Sequence, residues 1–390
     1  MLIKKYFKFL ESLNPEDMWE IIPDSVKELH KLFQASDKKL YLVGGAVRDF
    51  LTQDKPKDFD LATDAMPDDV LKILGKRYRT NLQGKAFGVV VVYTKDQPMG
   101  MEIATFREDI SKGRNPEVKL GVTIEDDVKR RDITYNGLFY DLDSRSIIDL
   151  TGGRNDLKVG VTRMVGDPFE RIDEDSLRIL RAFRFASRYN HPLHKATEDA
   201  IRKRKQLENL DPDTNEMKRI SQERIWEEMG KAWKQAKDYN YYLDFFTKFD
   251  MWGEVFPGAN INTNLVKSSD FVVVVANLFK NESTDKLLVR MMQDYRIEED
   301  VASKVIFLIN FLDFNADEVC DFYAEKKKCH IKDSTILEWL NVNGIDDPFS
   351  IKFVAYRPTT SSKELMDKGF FKAALGTEIR RLETKKFTEN

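Results

Sequence analysis

The chain has 390 residues, of which 42% are hydrophobic and 11% aromatic, enough to build packed cores in two or more domains and to exclude a disordered protein. Acidic and basic residues nearly cancel to a net charge of −3, so a nucleic-acid surface could arise only by local segregation of charge. The two cysteines, Cys320 and Cys329, form no CxxC pair, which argues against a disulfide framework and predicts a cytoplasmic protein.

The first 165 residues alternate between strand and helix patterns. Short apolar or period-two runs predict strands, and longer periodic runs between them predict helices. In chain order these are a strand at 39–43, a helix at 46–52, a strand at 58–62, a helix at 68–76, and strands at 87–94 and 101–106. The pattern predicts an N-terminal α+β head, with a mixed sheet and flanking helices.

Strand signals fade after Gly152-Gly153, and helical periodicity dominates from about residue 170 to the end. The clearest turn in this part is Asn209–Asn215, NLDPDTN. The longest apolar run, Phe271–Phe279, is too short to span a bilayer and predicts a buried element, so no membrane partner is expected. We therefore predict an all-helical remainder.

An acidic pair, Asp58 and Asp60, flanks Phe59 on one of the predicted strands. Residues i and i+2 of a strand point to the same face, so the two carboxylates would stand side by side with Phe59 buried behind them. Like charges at this spacing are costly unless a cation lies between them, and hard oxygen ligands suit Mg²⁺. An isolated DxD is more often a solvated strand face.

The glycine pair Gly44-Gly45, followed by a helical run that contains Arg48, strengthens the magnesium interpretation. A strand, a glycine pair and a helix start bring backbone N–H groups toward an anion, and Arg48 adds a fork for phosphate oxygens. The alternative is an ordinary strand-to-helix turn. Together with the acidic pair, however, the segment supplies what phosphoryl or nucleotidyl transfer requires. Glu102, on a later strand, is either a third carboxylate or an ordinary exposed residue.

The run Arg130–Asn136, RRDITYN, places a guanidinium beside a carboxylate. Such a pair suits nucleotide recognition, with the guanidinium on a phosphate and the carboxylate on a ribose hydroxyl. As an isolated string it would be a surface ion pair of little consequence.

The segment 171–188 is the most informative part of the sequence. At 100° per residue, four arginines fall on one helical stripe, and Asp175 lies one turn before the first of them on the same face: Arg178, Arg181, Arg184 and Arg188. Between residues 178 and 205 there are nine basic residues and two acidic ones. A stripe this one-sided more often faces polyanions than water.

These segments together resemble the class II tRNA nucleotidyltransferase and bacterial poly(A) polymerase family, within the polymerase-β-like superfamily. LVGGAVRDFL with DFDLATDA resembles its metal and triphosphate motif. RRDITYNGL resembles its ribose-recognition motif, although Gly137 stands where the family usually has alanine, and DPFERIDEDSLRILRAFRFA resembles its nucleobase-selecting motif. RISQERIWEEM resembles the next neck helix, and ELMDKGFFKAALGTEIRRLE loosely resembles the tail helices that hold tRNA. The close match covers about residues 40–230.

The resemblance implies four parts: a nucleotidyltransferase head at 1–165, an all-α neck with the base-selecting helix at 166–232, a helical body at 233–315 and a tRNA-binding helical tail at 316–390. It also implies roles for individual residues. Carried over by position, Asp58 and Asp60 would be Mg²⁺ ligands, with Glu102 as a candidate third carboxylate. Gly45, Arg48 and Arg131 would lie at the phosphates, and Asp132 at the ribose with Asn136 in the same nucleotide site. Asp175 and Arg178 would contact the base, and Arg181 and Arg184 would support that site.

Hydrogen-bond chemistry fits the implied base-reading pair. Asp175 only accepts and Arg178 only donates, so the pair matches the amino donor and ring acceptor of cytosine or adenine and clashes with uracil and guanine. Such a pair would select CTP and ATP without a nucleic-acid template. The expected reaction is transfer of CMP and AMP to the 3′ end of tRNA, adding CCA by a two-Mg²⁺ mechanism. No protein partner is inferred.

Several alternatives remain open. Some relatives add only CC or only A, and others polyadenylate RNA. The polyadenylating relatives carry a longer insertion than the span Glu108–Lys129, which argues for tRNA, and that span includes a predicted mobile loop at Asp109–Val118 of the kind implicated in switching from C to A. A different class of function is a non-catalytic RNA-binding protein on the same scaffold. The basic pairs Arg380-Arg381 and Lys385-Lys386 suit RNA, but solvated tail charges are the simpler interpretation.

Overall fold

The computed structural model describes residues 15–56, 58–111, 117–211, 214, 216–312 and 314–389. The chain divides into two compact units, Met1–Ser221 with Glu228–Tyr242, and Gln222–Glu227 with Leu243–Asn390. The four-part division into head, neck, body and tail stays a prediction. Among the described residues, no helix is both long enough and apolar enough to cross a membrane.

A mixed β-sheet forms the centre of the first unit. Its strands are β1 (Leu40–Val43), β2 (Leu61–Thr63), β3 (Arg79–Asn81), β4 (Val89–Tyr93), β5 (Met101–Thr105), β8 (Leu138–Asp141) and β9 (Ser146–Asp149), and a separate ribbon consists of β6 (Arg107–Asp109) and β7 (Val118–Leu120). The sheet, as described, has seven strands in the order β3-β4-β5-β2-β1-β8-β9. β2 and β5 run parallel, whereas the other neighbours are antiparallel.

Helices cover the sheet and continue beyond it. The helices that lie wholly in the first unit are α1 (Pro15–Ile21), α2 (Asp24–Ala35), α3 (Gly45–Leu51), α4 (Pro67–Leu74), α5 (Ile124–Lys129), α6 (Gly153–Val159), α7 (Pro168–Glu174), α8 (Leu177–Tyr189) and α9 (Lys195–Lys203). Two more, α10 (Gln222–Gln235) and α11 (Tyr239–Lys248), contain residues of both units.

Local chemistry explains where the site-bearing helices begin and which face they bury. Asp167 accepts a hydrogen bond from the Phe169 amide at 2.9 Å, and Pro168 takes the first helical position, so α7 starts with a strong cap. In α8 the apolar residues Ile179 and Phe183 are fully buried. An apolar stripe at helical spacing therefore anchors α8 and leaves its arginines on the other face.

The predicted fold class, an α+β head followed by helices, is confirmed by this arrangement. One element of the helical part was not expected. Strands β10 (Glu208–Leu210) and β11 (Met217–Arg219) form an antiparallel hairpin. The turn predicted at 209–215 overlaps this hairpin: residues 209 and 210 belong to β10, and residues 212, 213 and 215 lie outside the described residues.

The mobile loop predicted at Asp109–Val118 is only partly described. Its ends belong to β6 and β7, which pair through Arg107 with Leu120 and Asp109 with Val118. Residues 112–116 lie outside the described residues, so the loop stays a prediction.

The second unit is helical. Its helices are α12 (Trp252–Val255), α13 (Phe271–Phe279), α14 (Leu287–Gln293), α15 (Glu299–Asn310), α16 (Val319–Lys328), α17 (Asp333–Val342), α18 (Pro348–Ala355), α19 (Ser362–Asp367) and α20 (Lys372–Glu389). The apolar run of α13 is buried from Val273 to Phe279, as predicted. Glu383 of α20 is fully buried and accepts hydrogen bonds from the Thr359 amide at 3.1 Å, the Thr360 amide at 2.6 Å and the Tyr356 hydroxyl at 2.7 Å.

Candidate active site

The turn between β1 and α3 depends on glycine at its first position. Gly44 has φ +61°, a conformation that side chains rarely adopt. A Cβ atom there would also lie 3.6 Å from the Asn136 carbonyl oxygen and 3.7 Å from Nη1 of Arg131. The turn therefore brings the start of α3 close to the RRDITYN segment.

The acidic pair lies directly before β2 rather than on it. The alternation of burial nevertheless holds, since Phe59 is 7% exposed and both Asp58 and Asp60 are exposed. Pairing of β2 with β5 in the register Leu61 to Ile103 makes the preceding residues, Asp60 and Glu102, neighbours across the two strands. The strand prediction for residues 58–62 was thus wrong for 58–60, since β2 begins at Leu61, although the Asp60 carbonyl oxygen still accepts from the Val43 amide of β1 at 3.0 Å and the predicted side-chain pattern was right.

Negative charge is concentrated around Asp60. Asp60 lines a cavity, where partial desolvation of its carboxylate, followed by the charges of Glu102 and Asp58, raises its pKa to about 6, with Arg131 opposing the shift. Within the described ranges, no group of three or more His, Cys, Asp or Glu side chains is placed to hold a metal ion. Two carboxylates suit Mg²⁺ when water and substrate phosphates complete its shell.

Arg48 is held by neighbours rather than free in the cavity. It is 5% exposed, and its Nε and Nη2 donate to Asp49 Oδ1 at 3.0 and 2.8 Å while Nη1 donates to Asn136 Oδ1 at 2.5 Å. Asp49 Oδ1 also accepts from Arg188 at 2.9 Å and from the Tyr189 hydroxyl at 3.4 Å. Asp49 therefore ties α3 to α8, a role that the sequence analysis missed.

The RRDITYN segment continues this hydrogen-bonded chain. Asn136 Nδ2 donates to Asp132 Oδ1 at 2.9 Å, and Arg181 donates to Asp132 Oδ2 through Nε at 2.8 Å and Nη2 at 2.5 Å. Burial alone would raise the pKa of Asp132, but the charge of Arg181 and the hydrogen bond from Asn136 hold it well below its ordinary value. Arg131 pairs with Asp127 at 3.0 Å and lies 4.6 Å from the ring centroid of Phe139.

The four arginines of α8, whose stripe was expected to face a polyanion, each form an ion pair with a carboxylate of the protein. Arg178 pairs with Glu174 and donates from Nη2 to the Arg130 carbonyl oxygen at 3.0 Å, and Arg181 pairs with Asp132. The other two pairs are Arg184 with Glu228 at 2.7 Å and Arg188 with Asp49 at 2.9 Å. The stripe is therefore a set of internal ion pairs, and only part of it borders open space.

Asp175 does not lie on the helical stripe, so that prediction was wrong. α7 ends at Glu174, Asp175 is extended with φ −154° and ψ 105°, and α8 begins at Leu177. The physical reason is capping, because Asp175 Oδ1 accepts from the Leu177 amide at 3.2 Å and so satisfies an N–H group that a continuous helix would bond to its backbone.

A cavity of about 550 Å³ collects residues from these elements. Both acidic and basic residues line it, together with Gly45, Phe185 and Gln235: Asp49, Asp54, Asp58 and Asp60, with Arg48, Lys55, Arg184, Arg188, Lys234 and Lys237. A mixed lining of this kind suits a ligand that carries both negative phosphates and metal ions.

The cavity unites five of the predicted residues, Gly45, Arg48, Asp58, Asp60 and Arg184. Three others join it through the hydrogen-bonded chain from Arg48, in the order Asn136, Asp132, Arg181. Glu102, Arg131, Asp175 and Arg178 are not among the described residues that line it.

Sequence reasoning missed Glu228 as well as Asp49. Glu228 is 1% exposed on α10 and accepts from Arg184 Nε at 2.7 Å. A glutamate on the inner face of an amphipathic helix, within the RISQERIWEEM segment, was the available signal, since a buried carboxylate needs a cationic partner.

Comparison with known proteins places the chain in a family. Residues 40–163 match the family model described as the poly A polymerase head domain. The chain is 31% identical over 298 residues to the CCA-adding enzyme of Lactobacillus helveticus, covering 73% of this chain and 70% of the relative. It is also 31% identical over 283 residues to poly(A) polymerase I of Salmonella typhimurium, covering 67% of this chain and 56% of the relative. The chain thus spans little more than half the length of that polymerase.

A solved structure has the same fold. The CCA-adding enzyme of Bacillus stearothermophilus, crystallised with CTP, superposes with a TM-score of 0.69 at 22% identity and 92% coverage of both chains. The likeness to this structure shows the fold, and the sequence relatives show the family. The chain belongs to the nucleotidyltransferase family that has the poly A polymerase head domain and includes the CCA-adding enzymes and poly(A) polymerase I.

Proposed function

We propose that this chain transfers CMP and AMP from CTP and ATP to the 3′ end of tRNA, without a template, and so builds the terminal CCA. The observation that carries the proposal is that the exposed carboxylates of Asp58 and Asp60 line the same cavity as Arg184 and Arg188. Nucleotidyl transfer needs carboxylates for the metal and cations around the triphosphate, and one cavity offers both. CCA-adding relatives solved with CTP and with ATP, and a structural neighbour described as a tRNA-processing enzyme with CTP, support these substrates.

Asp58 and Asp60 are the proposed ligands of Mg²⁺. They fit such an ion because like charges crowd around Asp60, which a cation would relieve. When bound, two ions would lower the pKa of the RNA 3′-hydroxyl and stabilise the leaving pyrophosphate. Glu102, the strand neighbour of Asp60, would add negative charge beside them and is the candidate third carboxylate.

The protein's own groups would bind and orient the nucleotide. Gly45, Arg48 and Arg131 are proposed at the phosphates, Asp132 and Asn136 at the ribose, and Asp175 with Arg178 at the base. Arg181 and Arg184 would support this site through their ion pairs with Asp132 and Glu228. Because these pairs are already formed, the donors need little rearrangement when the nucleotide enters.

The helical body and tail are proposed to bind the tRNA acceptor arm by shape and backbone contacts. The basic pairs of the tail are poor candidates for this contact. Arg380 pairs with Asp321 at 2.9 Å, Arg381 with Glu378 at 2.7 Å, and Lys386 with Glu383 at 2.9 Å. We also propose the cytoplasm as the location, since both cysteines are free thiols.

Incubation with defined RNAs tests the function. tRNA ending at the discriminator base, at C or at CC is supplied with Mg²⁺ and each NTP separately, and product lengths are read. CCA addition predicts C, C and then A, with no incorporation of U or G. Addition of C alone or A alone would indicate a partial enzyme, long A tracts on any RNA would indicate a poly(A) polymerase, and no product would indicate a non-catalytic binding protein.

Substitution tests the acidic pair. Asp58→Ala and Asp60→Ala should each abolish transfer, a loss of at least about 10³-fold, while the circular dichroism spectrum stays unchanged. Asp69→Ala, which removes a half-buried carboxylate that pairs with Lys72 on α4, is the matched control and should keep full activity. Retained transfer in either active-site variant would refute the metal assignment.

A further inference from the structure

The β10–β11 hairpin contacts the junction between α7 and α8 through one side chain. Asn209, the middle residue of β10, donates from Nδ2 to Asp175 Oδ1 at 2.9 Å, and its own Oδ1 accepts from the Ser176 amide at 2.8 Å. The two bonds define the amide orientation, because the Ser176 N–H group requires the oxygen and thereby leaves the NH₂ group facing the carboxylate.

These contacts orient the carboxylate of Asp175. Its Oδ1 accepts from Asn209 and also from the Leu177 amide at 3.2 Å. Two donors on one oxygen restrict rotation of the carboxyl group, so the direction of the second oxygen is set as well. Asp175 belongs to neither helix. Its amide donates to the Arg171 carbonyl oxygen at 3.4 Å and its carbonyl oxygen accepts from the Arg178 amide at 3.0 Å, and these bonds hold the backbone but not the direction of the carboxylate.

Packing does not replace the hydrogen bonds. A cavity of about 320 Å³ lies at this place, and its lining includes Ser176 from the junction and Glu208, Leu210 and Met217 from the hairpin. The Ser176 hydroxyl is buried there without a hydrogen-bond partner among the described residues, and Ser176 is 1% exposed. The Asn209 side chain is therefore a polar link between the hairpin and Asp175.

We propose that Asn209 is a positioning residue for base selection, which holds the Asp175 carboxylate where it accepts the amino group of cytosine or adenine. The inference rests on the proposed function, in which Asp175 reads the base. An acceptor fixed in this position repels the oxygen that uracil and guanine carry at the same place. A carboxylate that can rotate escapes this repulsion, so the loss of Asn209 favours the wrong nucleotides.

The test measures selectivity rather than activity alone. We compare wild type, Asn209→Ala, Asp175→Ala and the double variant by their kcat/KM values. CTP and UTP are measured on tRNA ending at the discriminator base, and ATP and GTP on tRNA ending in CC. Asn209→Ala should lower the CTP-to-UTP ratio about tenfold, since it removes a hydrogen bond to a charged group. Met217→Ala, on the other strand of the hairpin and 59% exposed, is the control and should keep the ratio within about twofold.

The double variant shows whether Asn209 acts through Asp175. If it does, Asn209→Ala changes the ratio no further once Asp175 is alanine. An unchanged ratio in the single variant, or an equal drop in both backgrounds, would overturn the inference. Asn209→Asp keeps the acceptor for Ser176 and the side-chain size but replaces the donor to Asp175, so it should also lower the CTP-to-UTP ratio. It provides the test if the alanine variant does not fold. A wild-type protein that adds no nucleotide to any RNA fails the proposed function itself.

Discussion

Replacing Glu228 by glutamine removes the charge from the buried carboxylate that holds Arg184. Glu228 accepts from Arg184 Nε at 2.7 Å, and Lys231 Nζ and Arg181 Nη1 lie 3.3 and 3.7 Å away. Arg184 is itself 5% exposed, and its other described bond, from Nη1 to Gln235 at 2.9 Å, reaches a neutral oxygen. The substitution therefore leaves a buried guanidinium without a counter-charge.

The size of the effect follows from which partners can compensate. Removing one member of a buried ion pair costs about 3–5 kcal/mol. Arg181 keeps its ion pair with Asp132, and Lys231 has a side chain 48% exposed to water, so neither is stranded. Only Arg184 bears the full loss, and glutamine still accepts one hydrogen bond. We expect the lower end of the range, about 3 kcal/mol.

Hydrogen exchange of the α8 amides across a urea series measures this cost within the first unit. The opening free energy of α8 in Glu228→Gln should fall by about 3 kcal/mol. Glu227→Gln, the exposed neighbour on α10, should change it by less than about 0.5 kcal/mol. A Glu228→Gln protein whose α8 amides open within about 1 kcal/mol of wild type would show that the ion pair does not hold this helix.

Two further predictions concern stability. A Cβ at Gly153 would lie 2.4 Å from the Thr134 carbonyl oxygen, so Gly153→Ala should lower the urea midpoint at a cost of at least about 2 kcal/mol. A Cβ at Gly230 would have no neighbouring atom within 4 Å, so Gly230→Ala should not lower the midpoint. Equal midpoints for the two variants would contradict this prediction. Burial opposes ionisation of Glu383, but hydrogen bonds from neighbours such as Thr360 lower its pKa to about 2 from 4.5. Because the folded pKa is lowered, Glu383 contributes about 3 kcal/mol above pH 4.5 and loses it as the pH falls toward 2. The stability gap between wild type and Glu383→Gln in urea unfolding should therefore close over that pH window, and a constant gap would refute the assignment.

Local patterns were enough to predict the parts of the site that depend on neighbouring residues. The β1 strand, the glycine turn and α3 follow one another as expected, because an apolar run and a glycine pair define them within a few residues. The burial of Phe59 between two exposed aspartates was also predictable, since period-two alternation holds in any extended segment.

Features that depend on distant partners were not predictable from these patterns. Periodicity treats Asp175 as helical, whereas its side chain caps α8 and ends the helical run. The ion pair between Asp49 and Arg188 joins residues 139 positions apart, and no local signal announces it. The strands of the β10–β11 hairpin contain no β-branched or aromatic residue, so only their turn was visible in the sequence.

The carboxylate shared by Arg48, Arg188 and the Tyr189 hydroxyl has a mechanical consequence. Separating α3 from α8 would strand Asp49 with half of its donors, so the two helices should move as one block when substrates enter and leave. Loosening that block would weaken the binding of every incoming nucleotide by a similar factor. Discrimination among nucleotides would then depend on the Asn209–Asp175 hydrogen bond, and general affinity on the contacts of Asp49.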